Sequence, residues 1–152
     1  MKLSVIGYLL LLGVSGSVYA STLTVEAAWA RATPPGAPVG AVYMDLFNPG
    51  KEAITVNQIK TSVARMAQIH STLNVDGVMR MRSAMPLTIG ASERLSLAPG
   101  GMHVMLMGLS QPLAAGATFN LDLGLANGEN LRVEVLVGQA AQMSRPETVS
   151  AP

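Results

Sequence analysis

Between Leu23 and Val137 the chain never runs far before a turn breaks it, and this punctuation is what most limits the fold. Short apolar or alternating runs cover Leu23–Arg31, Val39–Phe47, Ile54–Ser62, Ala67–Leu73, Val78–Ala84, Arg94–Leu97, His103–Leu109, Thr118–Leu123 and Leu131–Val137. Between them stand Pro34-Pro35-Gly36, Asn48-Pro49-Gly50, Asp76-Gly77, Pro99-Gly100-Gly101 and Asn127-Gly128. Proline presets φ and glycine or asparagine accepts positive φ, so these are turns and not strand interiors. Regularly spaced short strands predict one all-β domain, an antiparallel β-sandwich or Greek-key barrel of about nine strands. Ala114-Ala115-Gly116 is too short for a helix, and no internal repeat stands out.

The first 20 residues read as something other than fold. Lys2 gives a positive start, Leu3–Val14 is apolar, and Ser15–Ala20 is small, ending in Val18-Tyr19-Ala20. That is a secretory signal peptide with cleavage expected near Ala20. A retained membrane anchor is the competing reading, but the apolar core falls short of the ~20 residues a span needs. No later segment suits stable membrane insertion. The domain is therefore expected over residues 21–138, with a polar, loose tail over 139–152.

Losing Lys2 balances the remaining Lys and Arg against the nine Asp and Glu. A neutral chain with no basic run is a poor nucleic-acid binder. It also has no cysteine. An exported domain without disulfides must be held by apolar burial, and thiolate catalysis, thiol exchange and cysteine-based zinc sites are excluded.

His70 and His103 are the only histidines, and each has methionines at strand spacing. Imidazole with thioether is a soft, neutral donor set suited to Cu(I). In a hairpin of Ala67–Leu73 with Val78–Ala84, a four-residue loop sets His70 opposite Met81. A two-residue Asp76-Gly77 turn sets His70 opposite Ser83, with Met81 as diagonal neighbour. Opposed Cβ atoms lie ~4.5–5.5 Å apart and diagonal ones ~7–8 Å, so either register lets both donors reach one ion. His103 and Met105 project together from one strand face, with Met107. Met79 and Met107 are rival ligands because they share those faces. By residue type alone each methionine reads as core filler, and each histidine as an ordinary satisfied residue, ahead of a ligand. Met44, Met66, Met85 and Met102 are expected in the core.

The spacing itself carries a resemblance. His70 and Met81 enclose ten residues, Met81 and His103 enclose twenty-one, and Met105 completes His-x-Met. With Ala28-Trp29-Ala30-Arg31-Ala32-Thr33-Pro34, Gly77–Arg82 and Pro99–Leu109, this resembles the periplasmic copper chaperones of the PCuAC family over Val25–Val137. The resemblance implies a cupredoxin-like β-sandwich that holds one Cu(I) ion through His70, Met81, His103 and Met105. It further implies a periplasmic monomer that delivers copper to the dinuclear copper site of cytochrome c oxidase, alongside Sco-type thiol proteins. Ser71 and Thr72 stand where some members carry a methionine beside the first histidine. The tail has only Met143, so no second, Cu(II), site is expected.

Rival functions are fewer than rival ligands. A blue-copper centre needs a cysteine thiolate, and none is present. A copper storage or resistance protein that sequesters Cu(I) without delivery has the same ligands, and a metal-free β-sandwich adhesion module would use the methionines as core. Enzymatic activity is not expected. Asp45, Asp122 and Glu134 form no acid/base pair by spacing, and Ser71 faces away from His70. Pro99-Gly100-Gly101 precedes a strand and not a helix N-terminus, so it does not read as a phosphate cradle. It is expected to keep the edge beside His103 open, with Met79, Met107 and Trp29 as a docking collar or, for Trp29 above all, as core.

Overall fold

The computed structural model describes residues 22–141 and Ser144; the expected signal peptide over 1–20 and most of the expected 139–152 tail lie outside the described residues. Ten strands form among them: β1 (Thr24–Arg31), β2 (Val39–Phe47), β3 (Ile54–Thr61), β4 (Ala64–Val75), β5 (Val78–Ser83), β6 (Leu87–Ile89), β7 (Arg94–Leu97), β8 (Met102–Leu109), β9 (Thr118–Leu125) and β10 (Asn130–Gly138). β6 goes beyond the sequence reading, which had no means of raising three residues above turn background.

Seven strands close into a barrel in the order β4-β8-β2-β1-β10-β9-β3, and the Ile59–Ala67 pair joins β3 back to β4. β5 extends the sheet beyond β4, β6 beyond β3, and β7 pairs with β2. The sheet is not antiparallel throughout: β1 and β10 run parallel, with Trp29 opposite Leu136. A ring with an odd number of strands cannot alternate direction all the way round, so closure on seven requires a parallel pair. The first and last strands, whose ends no hairpin ties together, supply it.

Alternation sets the two faces of the wall. Ala67 and Ile69 of β4, Val42, Met44 and Leu46 of β2, and Val104 and Leu106 of β8 point into the core. Each large aliphatic buried this way contributes about 1.5–3 kcal/mol, which is how the fold holds without disulfides. Met85 and Met102 pack against this core as expected. Met66 does not: it is 52% exposed on the outer face. Ala67 and Ile69 take the inward parity of β4, and Met66 falls on the other.

Two turns fix the elements that matter below. Asp76 and Gly77 both have positive φ, +53° and +79°, as in the type I′ turn whose twist matches a hairpin. Val75 therefore pairs with Val78, and His70 with Ser83. The two-residue register is the one adopted. The second turn, Ala98-Pro99-Gly100-Gly101, has Gly100 at φ +84° and closes with the Gly101 N–H donating to the Ala98 carbonyl at 3.0 Å. Proline then glycine at its centre suits a type II turn.

Candidate metal centre

The outer face of β4, β8 and β2 carries three rows of side chains. In the first, His70 pairs directly with His103, and Tyr43 follows with its ring centroid 6.4 Å from that of His103. In the second, Gln68 pairs with Met105 and Met105 with Ala41. In the third, Met66 pairs with Met107 and Met107 with Val39. β5 adds Met81 and Met79 to this face: Met81 pairs with Thr72, two residue pairs from His70–Ser83 and on the same face as His70, and Met79 pairs with Asn74 further along. All four sequence-predicted ligands thus reach one sheet face, together with the two rival methionines.

The two imidazole centroids lie 6.4 Å apart with the planes inclined by 58°. With metal–imidazole bonds of about 2.0–2.1 Å and ring nitrogens about 1.1 Å from their centroids, two rings facing across one ion sit about 6 Å apart. The observed spacing is therefore one that a shared ion could fill.

The ring nitrogens differ. His103 is buried, with 8% exposure, and its Nδ1 lies 3.3 Å from the Gly101 carbonyl. A carbonyl can only accept, so Nδ1 carries the proton and Nε2 keeps its lone pair for a ligand. The same carbonyl receives the Thr72 N–H at 3.4 Å. Pro99-Gly100-Gly101 was expected to leave this edge open, but its turn aims a carbonyl that fixes His103 and ties β8 to the hairpin. His70 has the opposite situation: its Nδ1 is buried without any hydrogen-bond partner. Leaving such a group unpaired costs about 1–3 kcal/mol, and the penalty is removed if the lone pair meets a cation.

A cavity of about 250 Å³ opens over the site, lined among others by Tyr43, Met81, His103, Met105 and Arg31. Met81 is 59% exposed on its rim. Tyr43 lines the cavity too, its ring centroid 4.7 Å from that of Trp29 with the planes tilted by 41°, and it carries the Arg31 guanidinium 5.8 Å over its ring. Trp29 is buried here, so it is packing and not docking collar. Sequence reasoning passed over Tyr43 and the Gly101 carbonyl. The strand parity of β2 and the glycine pair before His103 were the available signals. Among the described residues no three His, Asp or Glu side chains cluster as a metal site, so the donors gathered here are the neutral ones.

Comparison with known proteins gives the same fold. Residues 23–137 match the family model described as "Putative lipoprotein LpqE-like". "Putative lipoprotein Lxx21020" of Leifsonia xyli subsp. xyli is 35% identical over 119 residues, covering 78% of this chain and 70% of that one. The solution structure of CuI-DR1885 from Deinococcus radiodurans superposes with a TM-score of 0.60 at 33% identity, covering 78% of each chain. The copper-bound PCuAC domain from PmoF2 superposes at 0.64 with 21% identity, covering 80% of this chain and 97% of that domain, a likeness of fold.

Proposed function

The chain belongs to the LpqE-like family, of PCuAC type, and from that premise we propose that it is an exported chaperone holding one Cu(I) ion with His70, Met81, His103 and Met105. The observation that carries the reading is the unpartnered Nδ1 of His70 beside the oriented ring of His103, with thioethers on the same face. A buried nitrogen without a partner calls for an explanation, and a soft cation between two imidazoles and two thioethers supplies one. The Deinococcus protein, described as CuI-bound, supports the oxidation state.

Release follows from the unequal hold on the four donors. His103 is buried and tied to Gly101, whereas Met81 sits exposed on the outermost strand. An acceptor thiolate or imidazole enters from the β5 side, the Met81 thioether leaves, and copper passes over without becoming free. That exposed ligand favours delivery over storage. The proposed acceptor, implied by the motif resemblance, is the dinuclear copper site of cytochrome c oxidase, with Sco-type thiol proteins as partners in the periplasm. The chain acts there as a monomeric carrier and not as a catalyst.

Anaerobic Cu(I) titration of the mature chain against a competing chelator tests this, run beside His70→Ala and Met105→Ala. One tightly held equivalent, weakened in both variants, is expected. Binding indifferent to both substitutions would return the histidines and methionines to ordinary packing.

A further inference from the structure

The third row of the site face is left without a role by the reading above. Met66 and Met107 are direct cross-strand partners, and Met107 continues to Val39 on β2. Met66 is 52% exposed, Val39 is also exposed, and Met107 is half-buried. Strand positions facing solvent favour β-branched and aromatic residues, and burial does not account for a methionine at position 66. What the pair does offer is two thioether sulfurs whose Cβ atoms stand ~4.5–5.5 Å apart, with Met105 diagonal to Met66 at ~7–8 Å, within reach of long flexible side chains. Met105 follows next on β8, and it lines the cavity that His103 shares. No histidine, carboxylate or lysine belongs to this row.

We propose that Met66 and Met107 form an outer, thioether-only site for a soft monovalent cation such as Cu(I) or Ag(I), with Met105 shared between it and the inner site. Thioethers are neutral and weak, so the outer pair holds the ion less tightly than imidazoles do and passes it inward along β8. The ion exchanges one donor at a time, from Met107 to Met105 and then to His103, with no change of oxidation state and no proton to release, since His103 Nε2 already offers a free lone pair. The outer site goes beyond the proposed copper site and depends on Met66 and Met107, which the inner site does not use, so either can fail without the other.

The probe is Ag(I), added stepwise to the mature chain with ¹³C-methyl-labelled methionines while methyl and imidazole resonances are followed. The first equivalent is expected to move the rings of His70 and His103 and the methyls of Met81 and Met105. The second is expected to move Met66 and Met107. In the double variant Met66→Leu/Met107→Leu, bound silver falls from two equivalents to one while the first-equivalent shifts persist, which also reports that the barrel is intact. Methyls of Met66 and Met107 that stay still through the second equivalent would overturn the proposal. So would their moving together with the first, since they would then belong to the inner site. Silent imidazoles beside responsive Met66 and Met107 would count against the copper site of the preceding section and leave the outer site standing.

Discussion

Asn48 and His70 each bury a side-chain nitrogen, and the molecule treats the two in opposite ways. Asn48, just past β2, is fully buried at 0% exposure. Its Nδ2 lies 2.7, 3.1 and 2.9 Å from the carbonyls of Glu52, Ile89 and Gly90, and its Oδ1 accepts the Gly50 N–H at 2.9 Å. Its own N–H donates to the Glu93 carbonyl at 2.9 Å. Nothing is left over for a ligand. His70 keeps a buried nitrogen with no partner, beside a second imidazole and exposed thioethers. The first arrangement spends polar groups on holding loops to the barrel; the second withholds one from the fold. A satisfied buried network stiffens a structure, while an unsatisfied buried atom marks where something else is to bind.

The largest expected effect lies at the site that His70 shares with His103. His103→Ala removes the buried, carbonyl-oriented donor, and Cu(I) affinity should fall more than about a hundredfold, beyond what losing a supporting partner costs. A competition titration reads it, with the melting curve as check on folding. A variant that keeps its affinity would erase the distinction between the two regions.

In the other region, Asn48→Ala takes a donor from the carbonyls of Glu52, Ile89 and Gly90, of which Gly90 keeps the Glu93 N–H, and removes the acceptor of the Gly50 N–H, so stability should drop by about 2–4 kcal/mol. Denaturant unfolding measures that, and copper affinity of the folded fraction should be unchanged. Copper binding lost along with stability would mean the two regions are one cooperative unit.

His70→Phe sharpens the contrast because its sign is unusual. Replacing an unpartnered polar ring with an apolar one removes a desolvation penalty, so the metal-free protein should be as stable as the parent or more so, by up to about 1–3 kcal/mol. The same variant should hold Cu(I) less tightly, through the three donors that remain. A metal-free variant clearly less stable than the parent would mean that His70 supports the fold.

The smallest effect is a control on the far strands. Arg132 and Asp122 are cross-strand partners on β10 and β9, joined by two hydrogen bonds of 2.7 and 3.2 Å. The Arg132 guanidinium holds the Asp122 carboxyl below the usual carboxylate value of 3.8. A depressed carboxylate stabilises the fold above its unfolded-state value, and this is lost as pH falls through the lower folded-state value. Asp122→Asn should therefore lower the melting temperature slightly at neutral pH, and the difference from the parent should vanish in strong acid. An effect as large as that of Asn48→Ala would mean that surface pairs govern this barrel as much as buried ones.

Much of this was legible in the residues, for reasons that differ by element. Turn chemistry placed the strand breaks because Asp76-Gly77 and Pro99-Gly100 have few other conformations open to them. Parity placed His103, Met105 and Met107 on one face. Parity could also have placed Met66, since it shares the β4 phase of His70; expecting core there weighted residue type over phase. The His70–His103 pairing was not legible, because β4 and β8 are neighbours in the sheet but not in the chain, with β5, β6 and β7 between them and no hairpin to join them. The parallel β1–β10 contact was hidden for the same reason, as was the role of Gly101, which acts through its backbone and not through a side chain.

The most direct test of the central claim is the X-ray absorption spectrum of the chain loaded with one equivalent of Cu(I). The account predicts a first shell of two imidazole nitrogens and two thioether sulfurs, with the imidazole signature halved in His70→Phe. A first shell of sulfur alone, or one unchanged by that substitution, would contradict it.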